Sequence, residues 1–274
     1  METVLENIVH RKKVFLSARS AFTVDVLAEL FAGAQKAGSP LKEKLSSFPG
    51  PNIIAEIKVA SPSRGRILSP ERVVDCAKIV EEYTQGGAAA VSVVTEEAYF
   101  LGSAELLHTV CKVSPLPVLR KDFILEESQI FESVLLGAQA VLLITRILSA
   151  SRLERFIALC RLLGMTALVE VHDRQDLLKA LDCGADVVGI NNRDLATMRV
   201  SHRRTIDLLP LIPAGVKIVS ESGIRSHDDI QELMEAGVPN FLVGEKLLES
   251  VSLTQALLNL RGASQQHTLR HQIC

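Results

Sequence analysis

Tryptophan is missing from this chain of 274 residues, and tyrosine occurs only twice. With aromatics at 4%, few rings are available for unpaired bases to stack on, which argues against a single-strand nucleic-acid platform. Positive charge is not in excess either. Against 30 Lys and Arg stand 32 Asp and Glu, a formal net charge of -2, so there is no electrostatic footprint for a phosphate backbone. No apolar run approaches the roughly 18 residues that span a bilayer. The N-terminus, METVLENIVHRKK, lacks an apolar stretch followed by a cleavage site, and no export signal is expected. Cys76, Cys111, Cys160, Cys183 and Cys274 are dispersed, odd in number and without a C-x-x-C pair. They read as reduced thiols of a cytoplasmic protein, and no nucleophile signature surrounds any of them.

What the chain has is an ordinary globular balance, 47% hydrophobic and 23% charged, and a repeating pattern. Short β-branched runs alternate with longer amphipathic stretches from residue 52 onward. The strand candidates are 52–58, 89–95, 117–123, 140–146, 166–171, 186–191, 216–222 and 240–244. Helix-like segments such as PERVVDCAKIVEEYTQGG lie between them, opening with capping residues and closing at glycine. Eight strands, each followed by a helix, predict an α/β fold, a (β/α)8 TIM barrel, over a doubly wound open sheet. One domain over 1–262 is expected. Residues 1–48 form an N-terminal helical extension (VLENIVHRKKVFL and TVDVLAELFAGAQKAG) and 52–262 the barrel. The tail 263–274 shows no apolar periodicity and is expected to be disordered. Its His267 and His271 have metal-ligand spacing for a helix, but Cys274 alone accompanies them, and no metal site is expected.

Strand alternation assigns the charges a direction. In the first strand Ile54, Glu56 and Lys58 share one face, and the small or apolar Ala55 and Ile57 the other. The second face suits packing on outer helices, so Glu56 and Lys58 point inward at the C-terminal end, the catalytic end of this fold. By the same register Lys121 follows Leu119, Glu170 follows Leu168, and Asn191 follows Val187 and Gly189. A buried cluster of this kind stabilises poorly, because desolvation offsets the attraction. Acid–base chemistry, by contrast, requires lysines and carboxylates with shifted pKa values. Glu56, Lys58, Lys121, Glu170 and Asn191 are therefore catalytic candidates. A second cluster, Ser222 with Gly223 after strand seven and Gly244 after strand eight, occupies the usual phosphate position of the barrel. Glycine lets backbone N–H groups approach an anion there.

Read together, A-E-I-K-x-x-S-P-S-R-G (55–65), L-R-K-D-F (119–123), V-E-V-H (169–172), G-I-N-N-R-D-L (189–195), S-E-S-G-I (220–224) and V-G-E (243–245) resemble indole-3-glycerol phosphate synthase. The likeness begins at L-E-x-I (5–8) and runs to strand eight. S-P-S alone is weak; the ordered set, each on its expected strand, is specific. The resemblance implies a (β/α)8 barrel with an N-terminal helical segment and no metal or cofactor. It implies a lyase of tryptophan biosynthesis that converts 1-(2-carboxyphenylamino)-1-deoxyribulose 5-phosphate to indole-3-glycerol phosphate, carbon dioxide and water.

Carried over motif by motif, the resemblance makes Lys121 the general acid, with Lys58 its rival or partner. Glu170 handles protons in dehydration, Glu56 holds both lysines or acts as a base, and Asn191 and Ser222 orient hydroxyl and carboxylate groups. Ser61, Gly223, Gly244 and the backbone N–H of Glu245 hold the phosphate. Arg193 faces the substrate carboxylate, and Glu221 joins the substrate-binding set. Phe100, Phe123, Leu142, Ile144 and Leu195 wall the aromatic ring. The implied partner is a small phosphorylated molecule, not nucleic acid or membrane. The chain is expected to be a monomer or weak dimer that can associate with other enzymes of the tryptophan pathway.

Two positions depart from the family pattern. Lys246 stands where a small residue is usual, and Val59 where a basic one is common. A related phosphate barrel, phosphoribosylanthranilate isomerase, is disfavoured because its chemistry resembles a Cys and Asp pair, whereas strand one here carries Glu-x-Lys. A non-catalytic barrel that kept only the phosphate cup is disfavoured by the complete acid–base set.

Overall fold

The computed structural model describes residues 3–17, 40–45, 50–194 and 199–263. Eight parallel strands close into a barrel. They are β1 (Asn52–Ile57), β2 (Ala90–Val94), β3 (Val118–Lys121), β4 (Ala140–Ile144), β5 (Thr166–Val171), β6 (Val187–Asn191), β7 (Lys217–Glu221) and β8 (Asn240–Val243). Each pairs with its sequence neighbours, and β1 closes the ring on β8, with Ile54 opposite Leu242 on one side and Ala90 on the other. The expected (β/α)8 architecture is the observed one.

The helices among the described residues are α1 (Val4–Ser17), α2 (Pro40–Lys44), α3 (Pro70–Val74), α4 (Cys76–Gln85), α5 (Ala104–Val113), α6 (Glu127–Leu135), α7 (Ala150–Leu162), α8 (Arg174–Asp182), α9 (Arg203–Leu208), α10 (His227–Glu235), α11 (Glu245–Leu248) and α12 (Leu253–Leu260). Side-chain oxygens of Ser69, Ser103, Ser149, Asp173, Ser226 and Ser252 accept backbone N–H groups at the starts of six of them. Each satisfies a donor that has no partner within its helix. The long stretch from Pro70 to Gln85 breaks at Asp75, whose backbone leaves helical geometry, into α3 and α4. The helix after S-E-S-G-I begins at His227 behind a Ser226–Asp229 capping box.

Alternation sorts the core in two. Ile54, Leu119, Leu168, Val187, Val219 and Leu242 fill the barrel interior. Ile53, Ala55 and Ile57, with Val91, Val141 and Val169, pack outward in the cluster that includes the helix residues Leu107, Leu177 and Leu257. Leu41 of α2 and Leu45, just past its end, join the interior cluster. The Lys42 backbone N–H reaches Thr166 Oγ1, at the first residue of β5, and its ammonium pairs with Asp186, just before β6. The chain thus plugs the N-terminal mouth with its own residues and leaves the opposite mouth for chemistry. The expected helix over TVDVLAELFAGAQKAG and the tail histidines, His267 and His271, lie outside the described residues. No helix among those described is long and apolar enough to cross a membrane.

Candidate active site

The C-terminal mouth holds a cavity of ≈ 410 Å³. Glu56, Lys58, Lys121, Glu170, Asn191 and Ser222 all line it. Lys58 is the residue just past β1, and Lys121 ends β3, so both reach the mouth from strand ends, as alternation requires.

Glu56 is 2% exposed and touches both lysines. Its Oε1 is 3.0 Å from Lys58 Nζ and its Oε2 3.0 Å from Lys121 Nζ. Burial would push its carboxyl pKa up, but the two ammonium groups outweigh that and hold it down at about 2. Lys121 shows the mirror effect. Burial disfavours its charge, yet Glu56, Glu221 and Glu170 raise its pKa above the ordinary lysine value. Both partners are therefore charged.

Glu221, the last residue of β7, is 1% exposed, and neither carboxylate oxygen has a hydrogen-bond partner among the described residues. Burial pushes its pKa up to about 8, and the nearby Glu170 charge adds to the rise, while Lys121 opposes it. Its placement depends on β6. A Cβ on Gly189 would lie 2.0 Å from Glu221 Oε1, so a side chain there would expel the carboxylate. Gly244 does the same for Glu56: a Cβ would lie 2.5 Å from Glu56 Oε1.

The phosphate candidates lie together. Ser61, Gly223, Gly244 and Glu245 line the same cavity as the lysines. Ser61 belongs to a hairpin, Ala60–Ser61 against Gly65–Arg66. Ser222 (φ 67) and Gly223 (φ 88) both adopt left-handed backbone, a strain that a non-glycine residue keeps only when its surroundings impose it. The Asn192 side chain supplies that constraint. It donates to Ser220 Oγ at 2.9 Å and Ser222 O at 3.2 Å, and accepts from Thr205 Oγ1 at 2.7 Å. Arg193 reaches Glu245 Oε1 at 3.4 Å. Phe100, Phe123, Leu142 and Ile144 form apolar parts of the wall. Leu195 lies outside the described residues.

The motif resemblance extends over nearly the whole chain: a family model described as indole-3-glycerol phosphate synthase matches residues 5–260. The chain belongs to the indole-3-glycerol phosphate synthase family. An indole-3-glycerol phosphate synthase of Lachnoclostridium phytofermentans is 45% identical over 219 residues, covering 80% of each chain. Another, from Desulfosudis oleivorans, is 42% identical over 264 residues, 94% of this chain and 99% of that one. Among solved structures, thiamine phosphate pyrophosphorylase from Pyrococcus furiosus aligns with a TM-score of 0.59 at 16% identity, over 82% of this chain and 98% of that chain. That last likeness is one of fold.

The two departures from the indole-3-glycerol phosphate synthase pattern fall in different places. Lys246 is exposed and lies at the cavity rim. Val59 is 3% exposed, packs in the outer core and is absent from the cavity wall. Its apolar side chain therefore leaves the mouth untouched.

Several contributors to the family site were missed from sequence. Val4, Leu5 and Ile8 of α1 line the cavity, so the N-terminal extension roofs it. The buried Lys12 anchors that roof, with Nζ 2.9 Å from Asp122 Oδ1 and 2.9 Å from Glu97 Oε2. Asp122 in turn accepts Thr95 Oγ1 (2.7 Å), Arg120 Nη2 (3.1 Å) and the Phe123 backbone N–H (2.8 Å). Glu96 accepts the backbone N–H groups of Ala98, Tyr99 and Phe100, which shapes the loop carrying Phe100. The available signal was the buried charge in L-R-K-D-F; its partner, over a hundred residues earlier, had none.

Proposed function

We propose that this chain closes the indole ring, converting 1-(2-carboxyphenylamino)-1-deoxyribulose 5-phosphate to indole-3-glycerol phosphate with loss of carbon dioxide and water. One observation carries the reading: a single buried carboxylate, Glu56, aligns two lysine ammonium groups in a cavity that also holds Glu170, Asn191 and the phosphate candidates. Family membership supplies the substrate.

Lys121 is the better-placed acid for ring closure. It lies among Glu56, Glu170 and Glu221, which favour its charged form. From there it delivers a proton to the ribulose carbonyl oxygen as the aromatic carbon attacks. Lys58 lies 3.7 Å from Glu245, on the β8 side near Gly244, where its charge meets the substrate's anionic groups. Departure of the carboxylate as carbon dioxide restores the aromatic ring. Glu170 then exchanges protons as water leaves. Asn191 and Ser222 orient the hydroxyls, and Arg193 faces the carboxylate. Ser61, Gly223, Gly244 and the Glu245 backbone hold the phosphate, while Phe100, Phe123, Leu142 and Ile144 enclose the ring. A cytoplasmic location and association with other enzymes of tryptophan biosynthesis follow from the same reading.

The test is direct. Purified protein mixed with the substrate should generate indole fluorescence, and absence of product under varied pH would sink the proposal. Lys121→Ala should lower kcat by roughly 10² or more and leave phosphate binding within a few-fold. Turnover preserved within a few-fold would remove Lys121 as the acid.

A further inference from the structure

Behind Glu170 lies a histidine that the proposed mechanism does not use. His172 is 2% exposed and contributes nothing to the cavity wall. It follows Glu170 by two residues, so the two side chains leave the chain on the same side. Its Nε2 is 3.2 Å from Glu170 Oε1, and its Nδ1 is 3.6 Å from Asp176 Oδ2. Neither ring nitrogen has a hydrogen bond among the described residues. Asp176, in the first turn of α8, also accepts the His172 backbone N–H at 3.1 Å and Arg146 Nε at 3.0 Å. A continuous line of ionisable groups thus runs from Arg146 through Asp176 and His172 to Glu170, which lines the cavity.

The chemistry of that line limits its protons. An ionised carboxylate only accepts hydrogen bonds, and a neutral imidazole carries one N–H. With a carboxylate at each nitrogen, a neutral ring must turn a lone pair toward one of them. Asp176 is charge-paired with Arg146, and although burial pushes its pKa up, the contacts to His172 and Arg146 hold it below the usual carboxylate range. Asp176 therefore keeps its charge, and that charge 3.6 Å away favours the tautomer with its proton on Nδ1. The unfavourable lone pair then falls on Nε2, facing Glu170 Oε1. It is relieved when one proton lies between them, either on the ring with Glu170 ionised or on Glu170 with the ring neutral.

We propose that His172 is a positioning residue that shares one proton with Glu170 and so keeps Glu170 supplied for dehydration. This rests on the proposed reaction only for the step it serves. When Glu170 protonates the substrate, the proton it gives is the shared one, drawn from the imidazolium Nε2–H, and the pair is left as an ionised carboxylate beside a neutral ring. When Glu170 accepts a proton, the neutral ring takes it. Only O–H and N–H bonds are made and broken, and the pair needs no redox partner or co-reactant. The charges acting on the pair are Asp176 from α8, with Arg146 behind it, and Lys121 and Glu221, which act on Glu170 from β3 and β7.

Two measurements test this, one of them independent of turnover. Ring-nitrogen NMR of ¹⁵N-histidine-labelled protein should give a His172 titration midpoint that falls by about one pH unit or more in Glu170→Gln, because the ring loses an opposite charge. An unchanged midpoint overturns the proposal. In the kinetic arm, His172→Asn should reduce kcat by about tenfold or more, leave KM within about threefold, and remove one limb of the kcat–pH profile, with His172→Gln as the alternative if Asn does not fold. A kcat loss with a profile of native shape would mark a merely structural residue and overturn the proposal. If the native chain makes no indole product, the proposed function fails, and the NMR arm still decides whether Glu170 and His172 share a proton.

Discussion

Glu56 meets Lys58 and Lys121 with separate oxygens, each 3.0 Å away. One carboxylate thereby fixes the spacing of the two cations proposed to act on the substrate. Glu56→Gln keeps the shape and removes the charge. It should lower kcat by about 10² or more, in the range of a displaced acid–base group, measured by indole fluorescence at saturating substrate. The same residue sets an acid-side limit on stability. Its pKa is depressed from 4.5 to about 2, so its contribution is present above about 4.5 and is lost as pH falls toward 2. Denaturant melts should show native stability falling across that window, and Glu56→Gln should show a shallower fall.

Glu221 has the opposite sign. Its pKa is raised from 4.5 to about 8, so the native state holds the proton more tightly. Stability linked to it is fully present below about 4.5 and is lost as pH rises through about 8. Glu221→Gln should therefore raise Tm at pH 9 relative to the native chain and change it little at pH 4.5. Equal Tm differences at both pH values would show that Glu221 does not titrate in this window.

Lys12 joins the N-terminal helix to the strand that carries Lys121, through Asp122. Lys12→Met removes the ammonium from a buried carboxylate that retains Arg120. A loss of about 2 kcal/mol is expected, below the 3–5 for an ion left with no partner. Because α1 roofs the cavity, KM should also rise. Urea unfolding and steady-state kinetics on the same variant check both effects.

Glu245 places its carboxylate near three cations, 3.4 Å from Arg193, 3.7 Å from Lys58 and 3.7 Å from Arg64. Glu245→Gln removes one negative charge from among those cations, beside the phosphate candidates, although Lys58 keeps Glu56 and Arg64 keeps Glu249. Competitive inhibition by inorganic phosphate should tighten by about five-fold, equivalent to about 1 kcal/mol. Unchanged inhibition would place the phosphate away from these side chains.

Much of the fold could be read residue by residue. The eight strand positions, and the side to which Ile54, Glu56 and Lys58 point, follow from a period of two and need no knowledge of distant chain. The family motifs then located the mouth. Helix boundaries were less legible. Pro70 to Gln85 has one apolar pattern, yet it breaks at Asp75, because a backbone turn leaves no mark in hydrophobic periodicity. Residues just past strand ends, such as Lys58 and Ser222, were read as strand for the same reason.

The sequence by itself determined which residues could share a face: alternation is a property of the local backbone, and the motif spacings record it. Only the tertiary structure decided which faces meet and at what distance. That Glu56 divides its oxygens between lysines of two strands, that Lys12 closes the roof from 110 residues away, and that His172 stands between Glu170 and Asp176 all depend on closure of the barrel and docking of α1 and α8. Those contacts join separate elements, and their geometry arises only when the whole core packs.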